Sequence, residues 1–430
     1  MKVAVVGLWH LGCVTAACVA EAGHTVLAYD SNKKIIEKLQ KGQAPLFEGG
    51  LDELITKTHT QGLLNFSSDA NDVSTADIVW VTYDTPVDDN DVADIEFVMS
   101  EVKAILPHLK KNALVLISSQ LPVGSARKLQ KFCDEQWHDK AIHFAVSPEN
   151  LRLGKAIDVF KNPERIVVGI QSEADKELLQ ELLNPFTKNI VWMSIESAEM
   201  TKHALNAFLA TSVVFINELA TLCERVGADA REVERGLKSE DRIGPKAYLR
   251  PGNAIAGGTL ARDVNYLIQI GEQQELPTPL FSALLDSNQS HKQWSARRML
   301  QVVKNLRDKT ITTLGLTYKV GTDTLRRSTA IEFCEWLKEQ GAKVVAYDPL
   351  LTHLPEHLAD FIELKTTMEE ALVGADAVII TNECPQFTSL TADQIVNQVS
   401  EPLVFDAGGF LMKTLGSDKR ISYYSVGNQI

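Results

Sequence analysis

The sequence predicts an α/β fold with two Rossmann-like, doubly wound domains joined by a helical middle domain. Up to about residue 195, short β-branched runs alternate with helix-length amphipathic segments, a pattern typical of a parallel sheet covered by helices. The same alternation returns after about residue 305. Between these regions, residues 197–226 contain neither proline nor glycine and predict one long helix. We therefore expect domains over residues 1–195, 196–300 and 301–430.

The individual elements follow from the same patterns. The predicted strands of the N-terminal domain are Val3–Val6, Thr25–Tyr29, Ile78–Thr82, Leu114–Ile117, Phe144–Val146 and Ile166–Val168. Those of the C-terminal domain are Ile311–Gly315, Val344–Asp348, Ala377–Thr381, Leu403–Asp406 and Tyr423–Val426. After the long helix, more helix leads into a stretch at 244–258 that is rich in glycine and proline. The apolar face of the long helix is extensive enough for a subunit interface, although a core helix shows the same periodicity.

Composition excludes several classes of protein. The 430 residues include 43 Lys and Arg against 56 Asp and Glu, a net charge of −13. This acidic balance argues against a nucleic-acid or anionic-membrane binder, because both need clustered cations. We find no secretory signal and no uninterrupted apolar run of about 18 residues, and the six cysteines lack metal-ligand spacing. These features predict a reduced, soluble, cytoplasmic protein without a structural metal.

A candidate dinucleotide-binding loop follows the first strand. Gly7 and Gly12 flank it, Leu11 lies inside it, and Asp30 ends the second strand 23 residues after Gly7. In the G-x-G-x-x-G fingerprint the second glycine lets a pyrophosphate approach the backbone, and an acidic residue about 20 positions on holds the ribose. Trp9 replaces that second glycine. The context predicts NAD(P) binding, with NAD favoured because Asp30 would repel a 2′-phosphate; a purely structural turn is the alternative.

Ordered motifs follow one another along the whole chain. They are Gly23–Val26 with Asp30, Pro45–Leu51, Thr85–Pro86, Leu121–Gly124, Ser147–Gly154, Ser197–Lys202, Asn206, Asn217–Glu218, Arg242–Gly244, Pro251–Gly252, and Thr317–Asp323 with Arg326 and Ser328. Together they resemble the UDP-glucose/GDP-mannose dehydrogenase family of nucleotide-sugar dehydrogenases. The resemblance implies oxidation of the C6 primary alcohol of a nucleotide sugar to a carboxylate, in two hydride transfers to NAD. It also implies a homodimer formed through the middle domain, a sugar nucleotide held between the outer domains, and synthesis of polysaccharide or glycoconjugate precursors. A UDP-hexose is favoured because UDP-linked members are the more abundant.

The resemblance also assigns catalytic residues. Lys202 and Asn206 would contact the reacting C6 oxygen, with Asp263 organising water or proton transfer beside them. Four residues apart on a helix, Lys202 and Asn206 share one face and could converge on one oxygen, although a solvated helix face would look the same. Glu149 corresponds to the general base of the hydrolytic half-reaction, or else it caps the loop after a strand.

Binding residues are assigned in the same way. For the cofactor, the resemblance adds Thr85, Gln120 and Arg326 to the loop residues. For the substrate, besides Lys202 and Asn206, it indicates Leu151, Arg152, Tyr248, Gly252 and Lys319. A cation facing a diphosphate is chemically apt, whereas Tyr248 and Gly252 could equally serve ordinary packing.

The chain departs from the family at its nucleophile. Thr259 stands where the family has a cysteine whose thiolate captures the C6 aldehyde. A threonine hydroxyl needs a strong dedicated base for this reaction, and Cys223 or Cys384 could substitute only by approaching in space. Gln120 and Leu153 also replace polar residues of the family pattern near the same chemistry.

Several functions remain open at this point. Without the thiol the enzyme could make a single hydride transfer, or oxidise transiently to epimerise C5, or complete the oxidation through an aldehyde hydrate. A catalytically silent NAD- or nucleotide-sugar-binding protein is a second class of function. A simple 2-hydroxy-acid or 6-phosphogluconate-type dehydrogenase would not explain the second α/β domain.

Overall fold

A largely parallel sheet organises each of the two units into which the chain divides. The computed structural model describes residues 1–86, 93–149, 151–256 and 258–428. The units are Met1–Leu205 and Asn206–Ile430. The predicted fold class is thereby confirmed, with a helical region lying between the two sheets in sequence.

Among its described residues, the first unit contains eight strands in the order β3-β2-β1-β4-β5-β6-β7-β8. Neighbouring strands run parallel except for β6 and β7. The strands are β1 (Lys2–Val6), β2 (Thr25–Tyr29), β3 (Leu64–Ser67), β4 (Ile78–Val81), β5 (Leu114–Ile117), β6 (His143–Val146), β7 (Ile166–Gly169) and β8 (Ile190–Met193). The helices are α1 (His10–Glu21), α2 (Lys33–Leu39), α3 (Leu51–Thr60), α4 (Ile95–Ile105), α5 (Ser125–Trp137), α6 (Ala156–Lys161) and α7 (Ala174–Leu183). Helix α8 (Ile195–Val226) begins in this unit and continues into the next.

The second unit contains further helices and a parallel six-stranded sheet in the order β11-β10-β9-β12-β13-β14. Its strands are β9 (Thr310–Leu314), β10 (Lys343–Tyr347), β11 (Ile362–Leu364), β12 (Ala377–Ile380), β13 (Leu403–Asp406) and β14 (Ser422–Tyr424). Its helices after α8 are α9 (Ala230–Lys238), α10 (Thr259–Gln273), α11 (Pro279–Lys292), α12 (Trp294–Val303), α13 (Thr329–Glu339), α14 (Glu356–Ala359), α15 (Met368–Leu372) and α16 (Ala392–Gln398).

Burial on both faces explains why the central strands could be predicted from the sequence. In β1, Val3 and Val5 pack into one hydrophobic core, whereas Ala4 and Val6 pack into another. Since successive side chains of a strand point to opposite faces, a strand covered on both sides must be continuously apolar. The strands that sequence reasoning missed, β3, β8 and β11, all lie at sheet edges. Polar residues interrupt the apolar run in β3 and β11, whereas β8 is apolar but only partly buried.

The helical region shares a core with the second sheet. Ala220 of α8 and Trp294 of α12 belong to the same hydrophobic cluster as Ile311 of β9. Helices α9 to α12 therefore fall into one unit with the C-terminal strands, and the border between the units lies inside α8. The three-domain boundaries at 195 and 300 stay a prediction.

Helix α8 is also the most apolar long element among the described residues. By length and composition it could cross a membrane, a test that core helices of water-soluble proteins pass as well. Three of its polar side chains, those of Glu199, His203 and Asn206, are buried and hydrogen-bonded within the protein. Those contacts are typical of a core helix.

Candidate active site

Close packing explains both glycines of the loop after β1. Gly7 has a φ of +91°, and a Cβ there would come within 2.6 Å of the Tyr83 ring. A Cβ on Gly12 would lie 1.9 Å from the carbonyl oxygen of Gly7. Only glycine therefore lets helix α1 begin this close to the end of β1.

The loop lines a cleft of about 470 Å³ in the first unit, and Gly7, Trp9 and Asp30 all face it. The two carboxylate oxygens of Asp30 each accept a backbone hydrogen bond, from Leu8 at 2.8 Å and from Asn32 at 2.8 Å. These bonds hold the carboxylate in place and leave each oxygen a lone pair, which is what a ribose diol requires. The chemistry of the cleft therefore fits the adenosine half of NAD.

Trp9 occupies the N-cap position of α1 without capping it through its side chain. Its indole is 43% exposed and forms part of the cleft wall. The N-terminus of a helix attracts a pyrophosphate through its free N–H groups and its dipole. A bulky side chain thus stands beside the expected path of the pyrophosphate. Leu11, predicted to contact the cofactor, lines a smaller, more apolar cavity of about 80 Å³ instead, together with Glu149 and Leu151.

Thr85 and Gln120 lie together, as expected for residues of one site. The Thr85 hydroxyl donates to the carbonyl oxygen of Gln120 at 2.6 Å. This bond joins the segment after β4 to the segment after β5, both at the carboxyl end of the sheet. Ligands of open α/β sheets bind at this end.

Lys202 and Glu149 form the first of two pairs among the predicted catalytic residues. The Lys202 ammonium donates to the backbone oxygen of Glu149 at 2.7 Å and lies 3.7 Å from its carboxylate. The other carboxylate oxygen of Glu149 accepts the Leu151 N–H at 2.7 Å. Glu149 therefore does cap its loop, the alternative considered above, and at the same time presents a charged oxygen to Lys202.

Asn206 and Asp263 form the second pair. The Asn206 amide donates to the Asp263 carboxylate at 2.5 Å, and both side chains are buried. Since Asp263 is fully buried, its direct effect is to orient the Asn206 amide. The burial of Asn206 and the half-burial of Lys202 show that the alternative of a solvated helix face is wrong.

A second cleft, of about 480 Å³, lies in the second unit. Of the predicted residues, Thr259, Tyr248 and Gly252 line it. Gly252 is fixed by two bonds: its N–H donates to Asn217 at 2.9 Å, and its carbonyl pairs with the ring of His291 at 2.8 Å. The cleft thus combines an aromatic ring, a rigid backbone segment and the residue at the family's cysteine position.

Thr259 is exposed and is the first residue of α10. None of the six cysteines is among the described residues that line its cleft. Cys223 and Cys384 are instead buried in two hydrophobic cores. Burial also raises the pKa of the Cys334 thiol to about 12, which makes a poor nucleophile. The suggestion that another cysteine takes the place of Thr259 finds no support.

Arg250 is a residue of the second cleft that sequence reasoning missed. Its guanidinium donates to the carbonyl oxygen of Gly408 at 3.0 Å and pairs with Glu383 at 3.0 Å. Arg231 donates to the same carbonyl at 3.1 Å. Arg231 and Arg250, both from the helical region, therefore bind the segment 406–409. No local sequence pattern predicts these contacts, because Gly408 lies 177 and 158 residues from Arg231 and Arg250.

Other predicted residues lie away from these clefts. Leu151 is half-buried and packs against the first core, whereas Arg152 is exposed. Lys319 and Arg326 are exposed and are not among the described residues that line the second cleft, although Tyr318 is. Their assigned contacts stay predictions. Asn150, within the motif Ser147–Gly154, and Gly257, within the stretch 244–258, lie outside the described residues.

Comparisons with known proteins cover the whole chain. Residues 1–187, 196–290 and 312–413 match respectively the NAD binding domain, central domain and UDP binding domain of the UDP-glucose/GDP-mannose dehydrogenase family. A UDP-glucose 6-dehydrogenase of Bacillus subtilis (strain 168) is 33% identical, over 100% of this chain and 98% of its own length. One from Rhizobium meliloti (strain 1021) is 32% identical, over 99% of each chain. Among solved structures, a UDP-glucose dehydrogenase from Pyrobaculum islandicum superposes with a TM-score of 0.81 at 28% identity, covering 90% of this chain and 91% of its own.

Proposed function

The chain belongs to the UDP-glucose/GDP-mannose dehydrogenase family, and we propose that it is a variant that oxidises the C6 primary alcohol of a UDP-hexose only as far as the aldehyde. Membership makes it an NAD-dependent oxidoreductase of nucleotide sugars. The restriction to one oxidation is carried by a single observation: the cleft that holds Thr259 has no cysteine among its described lining residues.

The first oxidation needs only residues that the chain retains. The alcohol loses a proton from oxygen and a hydride from C6, which gives the aldehyde, NADH and a proton. Bound NAD supplies the acceptor for that hydride. Lys202 and Asn206 share one helical face, where an ammonium and an amide N–H can stabilise the developing C6 alkoxide. Glu149 and Asp263 hold these two side chains in place.

The second oxidation lacks its covalent step. In the family, a thiolate adds to the aldehyde to form a thiohemiacetal, from which the second hydride leaves. A threonine hydroxyl is not ionised near neutral pH, and no dedicated base for Thr259 is apparent among the described contacts. The C6 aldehyde also acidifies the C5 proton, so epimerisation at C5 followed by reduction is a further possible outcome.

The test is the NADH yield per nucleotide sugar consumed, with purified protein, NAD and a panel of UDP- and GDP-hexoses. Products are identified by mass spectrometry. One NADH with an aldehyde supports the proposal, whereas two NADH with an acid would refute it and show that a second oxidation takes place, for which an aldehyde hydrate is a donor that needs no thiol. A C5-inverted sugar without net NADH indicates the epimerase cycle. Saturable binding of NAD and sugar without any turnover would indicate a binding protein.

We expect Trp9→Gly to tighten NAD binding about 5-fold, because it clears the approach of the pyrophosphate to the start of α1. The dissociation constant is measured by calorimetric titration of the protein without sugar. Trp9→Phe retains an aromatic ring and serves as the control, with a smaller gain. Weaker binding after Trp9→Gly would mean that the indole contacts the cofactor productively.

The homodimer proposed through α8 is supported by an exposed apolar stripe. Phe208, Phe215 and Leu222 are spaced by seven residues and are 73%, 51% and 60% exposed. A seven-residue repeat places such side chains along one seam of a helix, where a second helix can cover them. Its length and continuity suit a second copy of the same helix.

Phe215→Glu should weaken this dimer at least about 100-fold, because the dimer would bury an unpaired carboxylate. Light scattering coupled to gel filtration gives the mass at micromolar concentration. The control is Val373→Glu, which places the same charge on an apolar side chain that is 69% exposed elsewhere in the second unit. A variant that keeps the mass of a dimer would rule out this seam.

We place the protein in the cytoplasm, where it would supply precursors for polysaccharide or glycoconjugate synthesis. The net charge of −13 and six buried, unpaired cysteines suit a reducing compartment and a small-molecule substrate. Cell fractionation with detection of the chain is the direct test of location.

A further inference from the structure

Glu48 joins two functional segments of the first unit. Its carboxylate is buried and accepts three hydrogen bonds: from the His10 ring at 2.9 Å, from the Gly154 N–H at 2.8 Å and from the Ala156 N–H at 3.0 Å. Burial disfavours its charge, but these bonds prevail and lower the pKa of Glu48. A buried carboxylate with three hydrogen-bond donors is held rigidly and fixes the segments of those donors to one another.

One side of the junction is the cofactor loop. His10 is the first residue of α1 and directly follows Trp9, which lines the cleft of Gly7 and Asp30. The His10 side chain is only 14% exposed, and its ring contacts the Glu48 carboxylate. A dinucleotide bound at the N-terminus of α1 would therefore contact the helix turn that carries His10.

The other side is the loop that carries Glu149. At its start, the Ser147 hydroxyl donates to Val167 at 3.1 Å. At its end, Gly154 and Ala156 are held by Glu48. Glu149 lies between these two anchors.

We propose that Glu48 is a positioning residue that transmits cofactor binding from His10 to the loop of Glu149. The inference rests on the proposed function for its catalytic consequence, but not for the coupling itself. Without the His10 contact, Glu48 still accepts the N–H groups of Gly154 and Ala156 at the start of α6. The loop, however, no longer responds to whether NAD is bound. The motif Pro45–Leu51 then has a role in cofactor-dependent ordering of the catalytic loop.

Hydrogen exchange measured by mass spectrometry over residues 148–158 tests the coupling without any turnover. In the unaltered protein, saturating NAD is expected to slow exchange in this segment about 5-fold. His10→Phe should bind NAD yet abolish that slowing, and His10→Gln, which restores a donor to Glu48, should recover it. Glu48→Gln should raise exchange with and without NAD. Glu53→Gln, an exposed carboxylate on α3, is the matched control.

Steady-state kinetics distinguish coupling from a merely structural role, because coupling should change kcat far more than the KM for NAD. His10→Phe is expected to lower kcat about 10-fold with the KM for NAD changed less than about 3-fold, and His10→Gln to restore kcat. NAD-induced slowing that survives in His10→Phe would overturn the coupling, as would an unaltered protein that turns over without any slowing. An unaltered protein that shows the coupling but oxidises no nucleotide sugar would instead refute the proposed function.

Discussion

Replacing Lys202 by alanine is expected to lower the rate of hydride transfer about 10³-fold, equivalent to about 4 kcal/mol of transition-state stabilisation. Lys202 is the cation that the structure holds beside Glu149, at 2.7 Å from its backbone oxygen. Charge develops on the C6 oxygen as the hydride leaves, so a preorganised ammonium acts mainly in the transition state. Single-turnover formation of NADH at saturating sugar measures the effect.

The affinity for NAD separates this effect from misfolding. We expect Lys202→Ala to bind NAD with nearly unchanged affinity, because the cleft of Asp30 and Trp9 does not include Lys202. Lys128→Ala, an exposed lysine on α5, is the control and should retain full activity. Unchanged turnover of Lys202→Ala would remove this residue from the mechanism.

Thr259→Cys is expected to convert a single oxidation into a double one, with NADH per sugar rising from about one to about two and an acid as product. The new thiol would be exposed at the first position of α10. The positive end of the helix dipole lowers the pKa of a thiol there, so a reactive thiolate fraction exists at neutral pH. Mass spectrometry of the sugar product is the measurement.

Thr259→Ser is the matched control, since it alters the side chain without supplying a thiol. It should leave the NADH yield at about one. A Thr259→Cys protein that makes aldehyde but no acid would mean that the hydrolytic half of the reaction has also been lost. Gln120 and Leu153, which depart from the family pattern, would then be the next positions to restore.

Sequence reasoning singled out the loop glycines, and the structure adds their immediate neighbours. Gly7 and Gly12 were expected from the fingerprint, whereas the structure shows that their lack of a side chain serves the packing of Tyr83 and of the Gly7 carbonyl. Trp9 lines the same cleft as Gly7 and Asp30. Leu11, only two residues on, faces another cavity because successive helical positions point in different directions.

The sequence by itself determined the two-sheet α/β architecture, the family and the departure at Thr259. Continuous apolar runs mark strands buried on both faces, and ordered motifs mark a family; both signals are local in the chain. Edge strands such as β3 were not predicted, because half-exposed strands tolerate polar residues that interrupt the apolar pattern.

Only the tertiary structure decided which side chains meet. Lys202 meets Glu149 across 53 residues, and Asn206 meets Asp263 across 57. Glu48 holds Gly154 across 106 residues, and Arg250 reaches Gly408 across 158. Periodicity reports which face of an element is buried, but it carries no information about which distant segment covers that face. Those contacts arise only when helices and strands pack, and the sites depend on them.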